Sequence, residues 1–377
     1  MRDVGGGMQR RFHPELESLR GLAALSVAGF HISQAPVLTG GGQVLLRDIP
    51  SAAMDVLRML FQGQPAVVFF FVLSGFVLTA SLQNASRPLR TIAMPFVVAR
   101  LFRIYPAWIF TILVFLEVYW LSGRTLGVVP TVSETFRNLL LLSVSMDGVG
   151  WSIQTELLAI PVMLLAFHWI TAGKIVRIFV IASVLAVFIN LVKVILPLPG
   201  GAPRAIYLYC FLFGALTHVL LPRADPRRAN LIFCLGVALF FLGVTLFARH
   251  SNIKDAWVTI ASCLMIAGGA LGLQGWLTVF RDNASLRFLG RVSYSFYLLH
   301  PLTLMIFWQM PQALGVVLQA GCPPWLAMLA MVLVSTAVAL PLAALSYYFV
   351  EKPFIRLGRQ FTAATQSREV APAGSSA

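Results

Sequence analysis

Apolar residues come in long runs along this chain, not in strict alternation. Ten of them, at about 17–35, 65–83, 97–121, 151–170, 175–196, 205–221, 230–248, 256–280, 291–310 and 325–349, are each long enough to cross a bilayer as a helix. Inside lipid every backbone N–H and C=O must find its partner within the segment, so the pattern predicts helices and no sheet. The expected fold class is therefore all-α, a polytopic transmembrane helical bundle of about ten spans. Residues 1–15 read as a loose N-terminal tail, 16–357 as the transmembrane domain, and 358–377, where Ala, Ser and Gly collect, as a disordered tail. No internal repeat is evident.

Composition agrees with the runs. Hydrophobic residues make up 58% of the 377, charged residues 11%, and the mean hydropathy is +0.83, which excludes a soluble enzyme of this length. The net charge of +14 would by itself suggest nucleic acid, but the basic residues sit in short clusters at the ends of apolar runs. Topology accounts for them instead: 20 of the 28 Lys and Arg fall on the side that carries both termini, which places the termini in the cytoplasm. No nucleic-acid partner is expected. The four cysteines, Cys210, Cys234, Cys263 and Cys322, lie in or beside apolar runs without metal-ligand spacing, so neither a disulfide framework nor a metal site is expected. The first run lacks a small-x-small cleavage site and reads as an uncleaved span.

Several polar residues interrupt the runs where lipid would not tolerate them. Arg20 and His31 are eleven residues apart, about three helical turns, and so share one face of the first span at a separation of roughly 16 Å. Arg20 lies at the cytoplasmic end and can snorkel, whereas His31 lies in the outer half, where it is either a packed imidazole bonded to a carbonyl or a working base. Arg100 and Arg103, at i and i+3, point two guanidinium forks the same way; they suit phosphate oxygens or, the reading that spacing alone favours, a positive-inside anchor on lipid headgroups. In Trp151-Ser152-Ile153-Gln154-Thr155-Glu156 the serine and the glutamate share a face and enter from the side on which His31 lies. Glu156 is then either a partner that fixes the tautomer of His31 or a solvated rim carboxylate. Ser74-Gly75, after three phenylalanines, marks a close helix approach or a candidate pocket. Tyr297 and His300 share a face ahead of Pro301, which fits a polar path or a kink.

Taken together these stretches resemble the acyltransferase-3 family of integral membrane O-acyltransferases. The residues that carry the resemblance are the Leu16-Glu17-Ser18-Leu19-Arg20-Gly21 opening, Arg20 with His31, Phe70-Phe71-Val72-Leu73-Ser74-Gly75-Phe76, Arg100 with Arg103 and Pro106, Trp151-Ser152 with Glu156, Tyr294-Ser295 with Tyr297 and His300, and Glu351-Lys352-Pro353-Phe354. They span about residues 14 to 357 in the family's order. The chain departs from the pattern at Ala66-Val67-Val68, where relatives often carry an aspartate, and at Leu157, where many have a second acid. It looks like the stand-alone form without a fused SGNH domain.

The resemblance implies a catalytic role for His31, use of acyl-CoA by Arg100 and Arg103, and transfer to sugars of glycans or glycosylated metabolites at a bacterial inner membrane. On this reading acyl-CoA, with acetyl as the expected group, is the co-substrate. Its phosphates stay at Arg100, Arg103 and Arg20 while the pantetheine arm runs up the bundle to His31 and Glu156. Ser74, Trp151, Ser152, Tyr297 and His300 line the candidate pocket. The competing reading is a transporter or flippase whose polar residues form a translocation path, although neither a repeat nor paired broken helices is present.

Overall fold

The computed structural model describes residues 13–39, 41–83, 88–122, 130–195, 204–247 and 252–370. The chain begins with α1 (Pro14–Ser33), a hairpin of β1 (Pro36–Thr39) and β2 (Gly42–Leu45), α2 (Ala52–Leu60), α3 (Gly63–Gln83) and α4 (Leu89–Leu121). It continues through α5 (Val132–Leu139), α6 (Gly150–Thr171), α7 (Ile175–Ile195), α8 (Leu208–Leu220), α9 (Ala229–Leu246) and α10 (Asn252–Leu271). One turn, α11 (Val279–Asp282), leads to α12 (Ala284–Trp308), α13 (Pro311–Gln319), α14 (Pro324–Ser346) and α15 (Lys352–Val370). A π-helical turn at Tyr347–Glu351 joins the last two.

The expected all-α membrane bundle is what the chain forms. Among the described residues, seven helical stretches are long and apolar enough to cross a membrane, from Ala52–Gln83 to Pro324–Thr362. The other predicted runs are also helices, α1, α7 and α12, and two of these carry the polar residues singled out above.

Four expectations are corrected. A two-stranded antiparallel hairpin pairs Pro36 with Leu45 and Thr39 with Gly42, so the bundle is not free of strand. Short helices α2, α5 and α13 occupy stretches expected to be plain connections. The run 256–280 breaks after Leu271, where Gly272 and Gly275 take φ values of +94° and +63°, a left-handed backbone that glycine adopts without strain. Helix α15 carries on to Val370, well into the stretch expected to be disordered. The predicted tails at residues 1–12 and 371–377, and the span ends at 196 and 248, lie outside the described residues.

The chain divides into two compact units. The first holds residues 13–19, 68–94 and 159–288, and its packing turns on glycine. Gly75 of α3 lies against the Phe211 carbonyl of α8, and Gly214 of α8 lies against the Val72 carbonyl of α3. A Cβ at either position would overlap backbone, which cannot swing aside. The Ser74-Gly75 pair thus brings two helices into backbone contact, the small-residue mode of membrane helix packing. Gly214→Leu should therefore force α3 and α8 apart at a cost of about 1–3 kcal/mol or more. The check is detergent-solubilised yield and melting temperature, both of which should fall.

The second unit holds residues 20–67, 95–158 and 289–370. Its core gathers Ile32, Val37, Leu46, Met54, Leu304 and Met328, drawn from α1, the hairpin, α2, α12 and α14. Gly29 receives the Phe61 ring, and Gly63 receives the Phe30 ring. This reciprocal fit and the fully buried Ile32 fix the last turn of α1 on both sides of His31.

Candidate active site

The second unit contains every residue of the predicted site except Ser74, which sits half-buried on α3 in the first. Its centre is a pair of imidazoles. Nδ1 of His31, on the last turn of α1, lies 3.0 Å from Nε2 of His300 on α12, with ring centroids 5.2 Å apart. Phe30 packs edge-on to His31, and Phe296 stacks on His300.

Pro301 explains how His300 is held. In a regular helix the N–H of residue 301 would donate to the carbonyl of Tyr297, but proline has none. Nδ1 of His300 takes that place and lies 2.7 Å from the Tyr297 oxygen. A carbonyl only accepts, so Nδ1 of His300 carries the proton and, in a neutral ring, Nε2 carries the lone pair. His31 must then donate from its own Nδ1, which leaves the lone pair of His31 on Nε2.

A second cluster adjoins it on α12. Tyr297 is in ring contact with His300 at a centroid distance of 5.8 Å. Its hydroxyl lies 3.0 Å from Ser152 Oγ and 3.2 Å from the Val149 carbonyl, and Ser152 Oγ lies 3.0 Å from the same carbonyl. Two hydroxyl protons thus serve a triangle of three oxygens around the start of α6.

The loop that supplies Val149 is held from several directions. Trp108 Nε1 donates to the Asn138 carbonyl at 2.7 Å, the Asn138 amide donates to Ser145 Oγ at 3.0 Å, and Asn138 Oδ1 accepts from the Met146 N–H at 3.1 Å. Leu141 takes φ +57°, and its carbonyl accepts from Gln154 Nε2 at 2.7 Å. A leucine in the left-handed region is strained by about 1–2 kcal/mol, and this hydrogen bonding holds it there.

The same loop buries Asp147, a residue that no helical spacing in the sequence singles out. Oδ1 accepts from the Val149 N–H at 3.2 Å, while Oδ2 is buried without a hydrogen-bond partner among the described residues. Burial pushes this carboxyl well above the usual carboxylate range, and the Val149 N–H opposes the shift.

Of the two readings of Glu156, a partner of His31 or a rim carboxylate, neither is decided by the contact of His31 Nδ1 with His300. Glu156 lies half-buried one turn beyond Ser152, and its charge reaches Tyr294 and Tyr297. Trp151 is half-buried at the start of α6. Arg20 is half-buried near the other end of α1.

The two α4 arginines part company. The Arg100 guanidinium lies over the Phe96 ring, 5.9 Å from its centroid. Arg103 Nη1 lies 2.8 Å from Oε1 of Glu351, which is fully buried at the end of the π-helical turn, and Glu351 Oε2 accepts from Ser295 Oγ at 2.9 Å. A role for Glu351 was legible only as a motif residue.

A family model described as an acyltransferase domain, that of the acyltransferase-3 family, matches residues 13–344. The chain belongs to the acyltransferase-3 family. No curated protein and no solved structure matches it. The protein is thus an acyltransferase, acting on groups other than aminoacyl groups, and membership removes the transporter reading. Among the described residues of this acyltransferase, no three His, Cys, Asp or Glu side chains gather as a metal site would require.

Proposed function

We propose that this acyltransferase moves an acyl group, acetyl first among the candidates, from cytoplasmic acyl-CoA to a hydroxyl of a glycan or glycosylated metabolite at the outer face of a bacterial inner membrane. The observation that carries the proposal is the relay from the Tyr297 carbonyl through His300 to His31, because it leaves a lone pair on His31 Nε2. That nitrogen takes the proton of the acceptor hydroxyl as its oxygen attacks the thioester carbonyl. The carbon–oxygen bond forms, the carbon–sulfur bond breaks, and the proton passes to the departing CoA sulfur.

His300 accepts from the imidazolium that forms on His31 without changing its own tautomer, and a charge-assisted bond is stronger than the neutral one it replaces. Glu156 contributes negative charge on α6 in support of the same cation. Arg100, with Arg20, is the cationic surface for the donor's phosphates, and Arg103 contributes through its pair with Glu351. Ten spans with both termini in the cytoplasm accord with the basic clusters and put these arginines inside and His31 towards the outside.

The direct test uses purified protein in lipid nanodiscs supplied with acetyl-CoA and a glycan extract of the source cell. CoA thiol release coupled to ester formation on the extract is the expected result. Absence of both across acetyl-, succinyl- and longer acyl-CoA would overturn the donor assignment.

A further inference from the structure

Asp147 is the buried polar group that the reaction as written above does not use. It is 1% exposed, yet its neighbours Gly148 and Ser145 are exposed, so the carboxyl lies one side-chain depth below the surface. It is joined to the Ser152–Tyr297 triangle through one peptide, since the Val149 N–H donates to Asp147 and the Val149 carbonyl accepts from the triangle. Tyr119 of α4 and Tyr294 of α12 lie within its electrostatic reach. A buried oxygen with no partner is costly to keep unless something fills its place.

We propose that Asp147, through Oδ2, binds a hydroxyl of the acceptor, beside the Ser152 and Tyr297 hydroxyls to which the Val149 peptide joins it. With no cation among its contacts in the described residues, the carboxyl holds its proton and donates to the acceptor oxygen. Asp147 is then a specificity residue; it binds the acceptor and takes no part in the proton transfer at His31. The inference rests on the acyl-transfer reading.

The test uses membranes of the source cell, whose own glycans are the acceptor probe, with [14C]acetyl-CoA as donor. Two quantities are read, total CoA release and label fixed on glycan, for the wild type, His31→Ala, Asp147→Ala and Asp147→Asn. Removing one acceptor hydrogen bond should lower label fixed per CoA released about tenfold in Asp147→Ala, because water then competes for the acyl group. Asp147→Asn keeps both an acceptor for the Val149 N–H and a donor in place of Oδ2, so it should restore the ratio. A carboxyl that merely braces its loop would lower yield and total turnover while leaving the ratio unchanged, and that result overturns the proposal. So does an Asn variant no better than Ala. The acyl-transfer reading is judged separately: it fails if CoA release in wild-type membranes equals that in His31→Ala, and the role of Asp147 then fails with it.

Discussion

His31→Ala is expected to lower acyl transfer by about 10²- to 10⁴-fold, the usual contribution of a positioned general base, with little loss of folded protein. Little stability is at stake because the ring is partly exposed and its last-turn backbone is held by Ile32 and by the Gly29–Phe61 and Gly63–Phe30 contacts. His300 provides the control for mechanism. His300→Ala removes one of the two partners of His31 and leaves the Val27 backbone, so the tautomer is held less firmly and part of the population turns an N–H towards the hydroxyl. The loss should be smaller than for His31→Ala, and His300→Gln, which keeps an acceptor, should recover part of it. Pro301→Ala tests the same relay from the backbone side, because a restored N–H competes with His300 for the Tyr297 carbonyl. Single-turnover transfer of labelled acetyl-CoA, at matched protein and with melting temperatures alongside, is the measurement. Undiminished transfer by His31→Ala would remove the base assignment outright.

Much of this was legible in the chain itself, and the parts that were not have physical causes. The apolar runs predicted the long helices because, in lipid, length and hydropathy are the dominant constraints. Helical spacing put Ser152 on one face with Glu156, and Tyr297 on one with His300, since both pairs lie within one helix. The pairing of His31 with His300 was not legible: the residues are 269 positions apart, and spacing says nothing about contacts between helices. A carboxylate was one candidate partner for His31, whereas the proline-freed carbonyl of Tyr297 lets a second imidazole act as an acceptor. Asp147 was not legible because an acid in a loop carries no periodicity; the fold of residues 141–149, with Leu141 held in a left-handed turn, carries it inward. The hairpin and the short helices are local structures of a few residues, too short for periodicity to distinguish from connections.

Arg103→Ala is expected to destabilise the protein by about 3–5 kcal/mol, the typical result of leaving a buried charge without its partner. The charge left behind is Glu351, which is 0% exposed and, among the described residues, keeps the Ser295 hydroxyl, itself 3.1 Å from Ser346 Oγ. Glu351→Ala should be milder, because Arg103 is about a quarter exposed and water can reach it. The double variant Arg103→Met/Glu351→Leu removes both charges and should melt close to the wild type, as buried ion pairs replaced by apolar residues commonly do. That separation decides what Arg103 does beyond structure. If its guanidinium also meets the donor's phosphates, the double variant will fold but show a raised KM for acyl-CoA, like Arg100→Ala. If Arg103 serves only to lock α4 to the π-helical turn, the double variant will use donor as well as the wild type, and phosphate binding then falls to Arg100 and Arg20. Melting temperature and donor KM, measured on the same four proteins, place Arg103 in one role or in both.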